Sequence, residues 1–357
     1  MMKKILFCGP IPRPGQAPNG GYEACNRRSI DALRGQDRTV DELYYPQPTG
    51  KPWKKLPAYV LGFASLLREL PQHQGQLLHL TGLYKQFVLP EILLLRRART
   101  MGLRTVYDIR AGSMLRYYAR YGALYRWLFR HLLRRADIVM IEGMEYADFV
   151  RQTTGKPAFY LPNHISAGKL PARTLGAPGT GPVRLVYAGR ITLEKGIRTV
   201  LEATRLLAQR GVDCSLTVAG PGPAALVDQL REEYGDCAVR WPGPLSSEQV
   251  LAEFGNAHFF LFPTRHKGEG HSNALTEAMG MGCMPLASEN GFNRSVIGDT
   301  GQILPLDASA ADYADAVQAW CAGGRWQAAS SAAMARTQDL FSTEQAISRL
   351  LAAYDQP

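Results

Sequence analysis

Short apolar runs alternate with longer amphipathic stretches along the first half of the chain. The apolar runs lie at 4–8, 75–80, 104–108, 136–141 and 157–162. The amphipathic stretches lie at 22–33, 87–101, 114–135 and 145–154. Apolar runs of this length are typical of buried strands, and strands that alternate with helices form βαβ units. The pattern therefore predicts an α/β fold built on a parallel sheet.

The same alternation begins again after residues 166–181, which are rich in glycine, proline and alanine and which we interpret as a linker. Strands are predicted at 183–189, 214–220, 239–241, 258–263 and 284–287. Helices are predicted at 195–210, 224–234, 247–255, 273–281 and 342–354. We therefore expect two Rossmann-like domains, 1–165 and 182–341, with a ligand cleft beyond the carboxyl ends of their strands.

Composition agrees with two folded domains. The chain has 357 residues, of which 46% are hydrophobic and 20% charged, and this excludes a disordered or fibrous protein. The six cysteines include no C-x-x-C pair, which argues against a zinc module and against a disulfide scaffold. Free thiols in a reducing cytosol fit this pattern better. There is no run of 18 apolar residues and no signal-peptide core. We expect a cytoplasmic protein.

Positive charge is concentrated in the first half. Residues 1–165 carry 25 lysines and arginines against 12 acidic residues, and 96–135 carry 11 arginines, seven aromatic residues and one acidic residue. Such a field favours an anionic partner, namely phosphate groups, an acidic membrane surface or nucleic acid, although a solvated face stays open. We expect peripheral contact with the inner face of the cytoplasmic membrane. The residues predicted to contact an acceptor or membrane are Arg110, Arg116, Arg120, Arg126 and Arg130.

Several common cofactor signatures are missing. The dinucleotide fingerprint G-x-G-x-x-G does not follow the first strand, and Gly220-Pro-Gly222 supplies only two of its glycines. The sequence has no D-x-D, G-x-S-x-G or P-loop motif. These absences argue against the hypothesis of a nicotinamide-dependent dehydrogenase. We expect no cofactor and no metal.

Charged residues follow predicted strands in the second half. Arg190 and Lys195 come after the strand at 183–189, and a guanidinium and an ammonium suit a diphosphate. Glu269 and Glu277 lie eight residues apart around a helix start that offers backbone N–H groups. A phosphate flanked by two carboxylates would suit a nucleotide sugar.

Together, G-R-x-x-x-E-K-G at 189–196 and E-x7-E at 269–277, running into A-M-x-x-G, resemble the donor domain of GT-B retaining glycosyltransferases of family 4, the glycosyl transferases group 1. The match is strong over most of 183–290. The first half matches more loosely, through Asn19-Gly20-Gly21 and Leu161-Pro162-Asn163. The resemblance implies a GT-B fold, with two Rossmann-like domains facing each other across a cleft and a C-terminal helix, about 342–357, crossing back to the first domain.

The resemblance also implies roles for single residues. Arg190 and Lys195 would bind the donor diphosphate and stabilise the leaving group, Glu269 would contact the donor sugar, and Glu277 would take the ribose hydroxyls. The other donor-binding positions that it implies are Gly20, Gly21, Gly189, Gly220, Pro242, Gly243, Leu245, His271, Ser272, Asn273, Ala274 and Leu275. No metal is implied, because two cations and a helix dipole can neutralise the diphosphate.

The chain departs from the family pattern at two places. Many members have a histidine near the sugar where this chain reads Val106 to Arg110, so Asp108 or Arg110 is expected to fill the position, with Asp108 counted among the catalytic residues. His271 stands where the family often has an aromatic residue. Plainer roles stay open: Asp108 could cap a helix, and His79 is favoured as a core histidine.

The leading hypothesis is therefore a metal-independent retaining glycosyltransferase. It would move a sugar from a UDP- or GDP-sugar to a glycan acceptor attached to a lipid, as in bacterial lipopolysaccharide, O-antigen or capsule assembly. A nucleic-acid-binding protein that uses residues 96–135 is one alternative, although it leaves Arg190, Lys195 and the glutamates without a role, and nucleic acid is not the expected partner. A catalytically silent GT-B relative is another.

Overall fold

A computed structural model describes residues 4–16, 18, 20–48, 52–73, 77–166, 170–171, 173, 175–179 and 181–356. The chain divides into two compact units, the first formed by Met1–Asn163 with Thr343–Pro357 and the second by His164–Ser342. The predicted linker, 166–181, falls within the second unit, and residues 167–169, 172, 174 and 180 of it lie outside the described residues.

The first unit contains a parallel six-stranded sheet. Its strands are β1 (Lys4–Gly9), β2 (Thr39–Tyr44), β3 (Leu77–Gly82), β4 (Arg104–Ile109), β5 (Ile138–Ile141) and β6 (Phe159–Tyr160), in the order β2-β1-β3-β4-β5-β6. The helices are α1 (Gly21–Arg34), α2 (Pro52–Glu69), α3 (Val88–Thr100), α4 (Met114–Arg120), α5 (Ala123–Arg135) and α6 (Ala147–Thr154). β1, β3, β4 and β5 are almost wholly buried, as expected of strands with helices on both faces.

Three features of the first unit differ from the sequence prediction. β2 and α2 were not predicted, because β2 (TVDELY) mixes polar and apolar residues and α2 contains Pro57 within its span. The helix predicted at 114–135 is two helices, because the extended Gly122 (φ −65°, ψ 175°) separates α4 from α5.

The last helix, α14 (Thr343–Tyr354), belongs to the first unit. Ala346, Leu350 and Tyr354 are buried in the same apolar cluster as Ile5 and Phe7 of β1. This confirms that the C-terminal helix returns to the first domain.

The second unit contains another parallel six-stranded sheet. Its strands are β7 (Val183–Ala188), β8 (Cys214–Ala219), β9 (Val239–Gly243), β10 (Phe259–Phe262), β11 (Met284–Ser288) and β12 (Gln302–Leu304), in the order β12-β11-β10-β7-β8-β9. The helices are α7 (Ile197–Gln209), α8 (Ala224–Glu233), α9 (Ser247–Gly255), α10 (Asn273–Gly280), α11 (Asn293–Ile297), α12 (Ala310–Ala322) and α13 (Trp326–Arg336). β12 and α11 to α13 were not predicted.

α7 begins two residues later than predicted. Residues Leu193–Lys195 form a single 3-10 turn, and Gly196 is left-handed (φ 80°). A Cβ at Gly196 would also collide with the carbonyl oxygen of Pro263. This glycine therefore lets the turn that carries Lys195 approach the end of β10.

No helix among the described residues is long and apolar enough to cross a membrane.

Candidate active site

Three neighbouring strands of the second sheet end at one edge. β7 ends at Ala188, β10 at Phe262 and β11 at Ser288, and β10 lies between the other two. Because the strands are parallel, the segments that follow them meet at this edge, where parallel sheets bind ligands. The predicted residues that follow these strands are Gly189, Arg190 and Lys195 after β7, and Glu269, residues 271–275 and Glu277 after β10.

An ion pair joins two of these predicted residues. Lys195 Nζ lies 2.6 Å from Glu269 Oε2, and the same carboxylate oxygen accepts a 2.6 Å hydrogen bond from Thr264 Oγ1. The Lys195 side chain is 17% exposed and that of Glu269 is 7% exposed. Lys195 Nζ also lies 5.7 Å from the ring centroid of Phe262. Lys195, which is predicted to bind the diphosphate, and Glu269, which is predicted to contact the donor sugar, therefore form one partly buried ion pair.

Hydrogen bonds hold the loop after β10 in place. The Arg265 N–H donates to the carbonyl oxygen of Glu194 (2.7 Å), which ties the loop to the turn that carries Lys195. Asn290 Nδ2 donates to the carbonyl oxygens of Thr264 (3.1 Å) and His266 (2.9 Å). Residues that follow both neighbouring strands, β7 and β11, thus hold the start of the loop that carries Glu269.

Sequence reasoning missed the residues that support Glu269. Ser288 Oγ donates to the carbonyl oxygen of Thr264 (2.6 Å). Gly291 has φ 56°, and a Cβ there would collide with the carbonyl oxygen of Glu269. A signal was present, since Ser288 ends a buried strand and Asn290 and Gly291 follow it, but polar residues at a strand end do not reveal which loop they contact.

Arg190 is exposed, in the segment that joins β7 to the turn carrying Lys195. Its carbonyl oxygen accepts a 2.6 Å hydrogen bond from the Tyr187 hydroxyl, which fixes the backbone while the guanidinium faces solvent. The preceding Gly189 has φ 146° and open space where a Cβ would lie. A Cβ at Gly220 would collide with the carbonyl oxygen of Gly189, and a donor contact by the Gly220 backbone stays a prediction. Gly220 is required for strand-end packing.

The N-terminus of α10 lies on the same edge. Ser272 caps the helix, and its Oγ accepts from the Leu275 N–H at 3.4 Å. The Leu275 side chain is buried, so only its backbone can face a ligand. His271 is also buried and its Nε2 lies 2.6 Å from Thr276 Oγ1, which makes it a support beneath the helix start. Asn273, Ala274 and Glu277 are half-buried.

Three of the predicted donor-binding residues lie at the end of β9. Pro242, Gly243 and Leu245 are half-buried, and Gly243 has φ 77°. The carbonyl oxygen of Gly243 accepts from the Gly220 N–H at 2.9 Å. Since β9 pairs with β8 and β8 with β7, these residues lie farther along the same edge.

In the first unit, Gly20 and Gly21 are at the start of α1. Gly20 has φ 98°, and among the described residues other than its chain neighbours no heavy atom lies within 4 Å of the place where its Cβ would be. This leaves the backbone open to close approach. Asn19 of the same motif lies outside the described residues.

Asp108 and Arg110 are not where the sequence analysis expected them. Arg110 is buried, so it cannot contact a membrane surface, and Asp108 is fully buried. Arg110 Nε donates to Asp108 Oδ2 (2.6 Å), and Arg110 Nη1 donates to Asn163 Oδ1 (2.9 Å). Asp108 lies within β4, so the helix-cap alternative is wrong. The two side chains are buried because they pair with each other and with polar residues of the same unit, His79 for Asp108 and Asn163 for Arg110.

His79 completes this buried network. Its Nε2 lies 3.3 Å from Asp108 Oδ2 and its Nδ1 lies 2.7 Å from the Tyr354 hydroxyl. Burial lowers the pKa of His79, which favours the neutral ring. Burial acts to raise the pKa of Asp108, but the Arg110 charge and the His79 hydrogen bond outweigh it and hold that pKa below its usual value. The network joins β3, β4 and α14, and His79 is a core histidine as favoured.

The other four predicted arginines are exposed on two helices. Arg116 and Arg120 lie on α4, and Arg126 and Arg130 lie on α5. The apolar side of these helices is buried through Tyr118, Phe129 and Leu132. The arginines therefore point away from the core.

Among the described residues, no group of three or more His, Cys, Asp or Glu side chains is placed to hold a metal ion.

The match to a known protein family lies in the second unit. Residues 182–322 match the family model of glycosyl transferases group 1. The chain is 33% identical over 144 residues to a glycogen synthase of Mycobacterium tuberculosis, covering 39% of this chain and 34% of that protein. It is 27% identical over 190 residues to phosphatidyl-myo-inositol mannosyltransferase of the same species, covering 50% and 49%. The matches thus span about a third to a half of these relatives.

The fold matches over the whole chain. The structure of Anabaena HepE in complex with UDP and glucose superposes with a TM-score of 0.68 at 14% identity, covering 99% of each chain. At this identity the likeness shows the fold alone. With two parallel six-stranded sheets and a C-terminal helix in the first unit, the chain has the GT-B fold, and its residues 182–322 are similar to the glycosyl transferases group 1.

Proposed function

We propose that this protein is a retaining, metal-independent glycosyltransferase that moves a sugar from a UDP- or GDP-sugar to a lipid-linked glycan. The observation that carries the proposal is the Lys195–Glu269 ion pair, at the sheet edge where Arg190 and the start of α10 also lie. It places two cations, one carboxylate and a helix N-terminus on one sheet edge. That combination suits a diphosphate with a sugar attached.

Charge stabilisation by the donor site is the core of the proposed reaction. An ammonium has three N–H donors, and Lys195 directs one to Glu269. The remaining donors can meet phosphate oxygens, and the exposed Arg190 can approach the same diphosphate as a planar fork. When the bond between the sugar and the diphosphate breaks, these cations stabilise the negative charge that develops. In this proposal the two cations take the part that a divalent metal would otherwise play.

Glu269 has two parts in this proposal. One carboxylate oxygen positions the Lys195 ammonium and the Thr264 hydroxyl, and the other can accept a hydrogen bond from a sugar hydroxyl. Glu277, half-buried on α10, is proposed to take the ribose hydroxyls. Retention of configuration rests on the motif resemblance.

For a lipid-linked acceptor, two observations give support. Arg116, Arg120, Arg126 and Arg130 form an exposed basic surface that suits phosphate groups. One relative is a phosphatidyl-myo-inositol mannosyltransferase, and its name includes a lipid. UDP as the donor nucleotide is supported by the HepE complex. We propose a cytoplasmic protein that attaches peripherally to the membrane.

A two-step experiment tests the function. Thermal shift with UDP, GDP, ADP and their common sugar conjugates identifies the donor, and a rise in melting temperature with at least one uridine or guanosine conjugate is expected. Transfer to a lipid-linked acceptor is then followed by NMR of the new anomeric proton. The product should keep the anomeric configuration of the donor. Inversion would contradict the retaining mechanism, and the absence of any nucleotide response would contradict the donor site.

A further inference from the structure

Exposed large apolar side chains are concentrated on three helices of the first unit. On α2 they are Leu56, Val60 and Leu61, on α3 Leu89 and Leu93, and on α5 Leu124 and Trp127. Their exposed fractions run from 49% to 71%. Scattered apolar residues are normal on a protein surface, but a concentration of them marks an interaction surface.

A groove lies between α2 and α3. It measures about 340 Å³ and its wall is almost entirely apolar. The residues that line its rim and floor include Leu56, Val60, Phe63, Leu89 and Leu93. Phe87 packs in the floor, with its ring centroid 5.2 Å from Tyr59 and 5.8 Å from Phe63. The aromatic floor is well packed, while the leucines at the rim are open to solvent.

A basic pocket continues the groove at one end. Leu67 and Leu93 line both, and Arg68, Arg96 and Arg97 line the pocket. All three arginines are exposed. A hydrocarbon slot that opens onto a group of arginines is complementary to a molecule with an apolar chain and an anionic head. Neither α2 nor these arginines belong to the basic surface on α4 and α5.

We propose that the α2–α3 groove binds the hydrocarbon chain of an anionic lipid in a bilayer, with the lipid phosphate at Arg68, Arg96 and Arg97. This site deepens the proposed membrane attachment and rests on it. Electrostatic attraction through α4 and α5 would bring the protein to the surface. Insertion of apolar side chains would add a component that salt does not screen.

The test compares variants in a vesicle-binding assay. The groove variant carries Leu56→Gln, Val60→Gln, Leu89→Gln and Leu93→Gln, which keep helix propensity and remove apolar surface that is already exposed. A matched control carries Met144→Gln and Leu306→Gln, two exposed apolar residues outside the groove. Circular dichroism should show that both fold as the wild type does.

Binding to phosphatidylglycerol and phosphatidylcholine vesicles is measured by sedimentation at 0.1 M and 1 M salt. Screening shortens charge interactions to about 3 Å at 1 M. The wild type and control should bind phosphatidylglycerol at low salt and keep part of that binding at high salt. The groove variant should lose the salt-resistant part and at least about tenfold in affinity at low salt. Equal binding of variant and wild type, or wild-type binding abolished by salt, would overturn the proposal.

A second measurement locates the lipid chain. Phosphatidylglycerol with a diazirine at the chain end should label α2 or α3 after photolysis, and label confined to other helices would contradict the site. If the groove variant instead changes a dimer into a monomer without affecting vesicle binding, the groove is a subunit interface and the proposal fails. Binding of UDP or GDP by the protein needs no membrane. Whether the protein binds these nucleotides therefore tests the proposed function separately from the groove.

Discussion

Breaking the Lys195–Glu269 pair should cost stability as well as donor binding. With 17% and 7% exposure, the pair is largely removed from water. Lys195→Ala leaves the Glu269 carboxylate hydrogen-bonded to Thr264 but without the ammonium 2.6 Å away. Removing one partner of a fully buried pair costs about 3–5 kcal/mol, and the partial exposure of Lys195 lowers this to about 2–4 kcal/mol.

A double-mutant cycle measures the coupling. Glu269→Gln should cost about 1–2 kcal/mol, because the Lys195 ammonium can turn toward water while the amide keeps an acceptor for Thr264. In the double variant no unpaired charge remains. Its loss should therefore be smaller than the sum of the single losses by about 1–2 kcal/mol.

Urea unfolding followed by circular dichroism gives the free energies of unfolding. Lys267→Ala, which removes an exposed lysine from the same loop, is the control and should stay within about 0.5 kcal/mol of the wild type. Single losses that simply add would show that the pair contributes nothing beyond its separate parts, and the reasoning on Lys195 and Glu269 would be refuted.

The remaining predictions concern chemistry, pH and charge. Arg190→Ala should lower turnover about 10²-fold and leave the urea midpoint unchanged, because the side chain is exposed; unchanged turnover would exclude a role at the diphosphate. Transfer should persist in excess EDTA, and loss that Mn²⁺ or Mg²⁺ restores would contradict metal independence. Burial raises the pKa of Glu91 from 4.5 to about 8, so the folded state keeps a proton that the unfolded state releases between those pH values, and this group's contribution to stability falls as pH rises through that window. In this window the wild-type free energy of unfolding should fall by up to about 1.4 kcal/mol per pH unit more than that of Glu91→Gln. Parallel plots of unfolding free energy against pH for the two proteins would contradict this prediction. Four exposed arginines are changed to glutamine in the last variant: Arg116, Arg120, Arg126 and Arg130. This variant should be released from phosphatidylglycerol vesicles at low salt without a change in donor binding. If it still binds the vesicles, these arginines do not make the membrane contact.

Secondary structure was most predictable where local signals and burial agree. The helix Ser247–Gly255 has the predicted bounds, because Ser246 and Gln249 form a capping box at its start. β10 (FFLF) is a buried apolar run and could be read directly. β2 and the break at Gly122 were missed, since an edge strand carries a mixed pattern and one glycine does not always end a helix.

Site residues were predictable as a group but not in their contacts. Lys195 and Glu269 were both chosen from their motifs, yet 74 residues separate them and only the folded sheet shows that they pair. Asp108 and Arg110 illustrate the opposite case. A carboxylate and a guanidinium two residues apart after an apolar run look the same in a sequence whether they face a ligand or, as here, a buried histidine.

The most direct test of the donor site is calorimetric titration of UDP, GDP and ADP into the wild type, Arg190→Ala and Lys195→Ala, at a temperature where all three are folded. We expect UDP or GDP to bind the wild type and each substitution to weaken that binding at least about tenfold, because each removes a cation from the diphosphate. Equal affinities in all three proteins, or no nucleotide binding to the wild type, would contradict the assignment of this sheet edge as a nucleotide-sugar site.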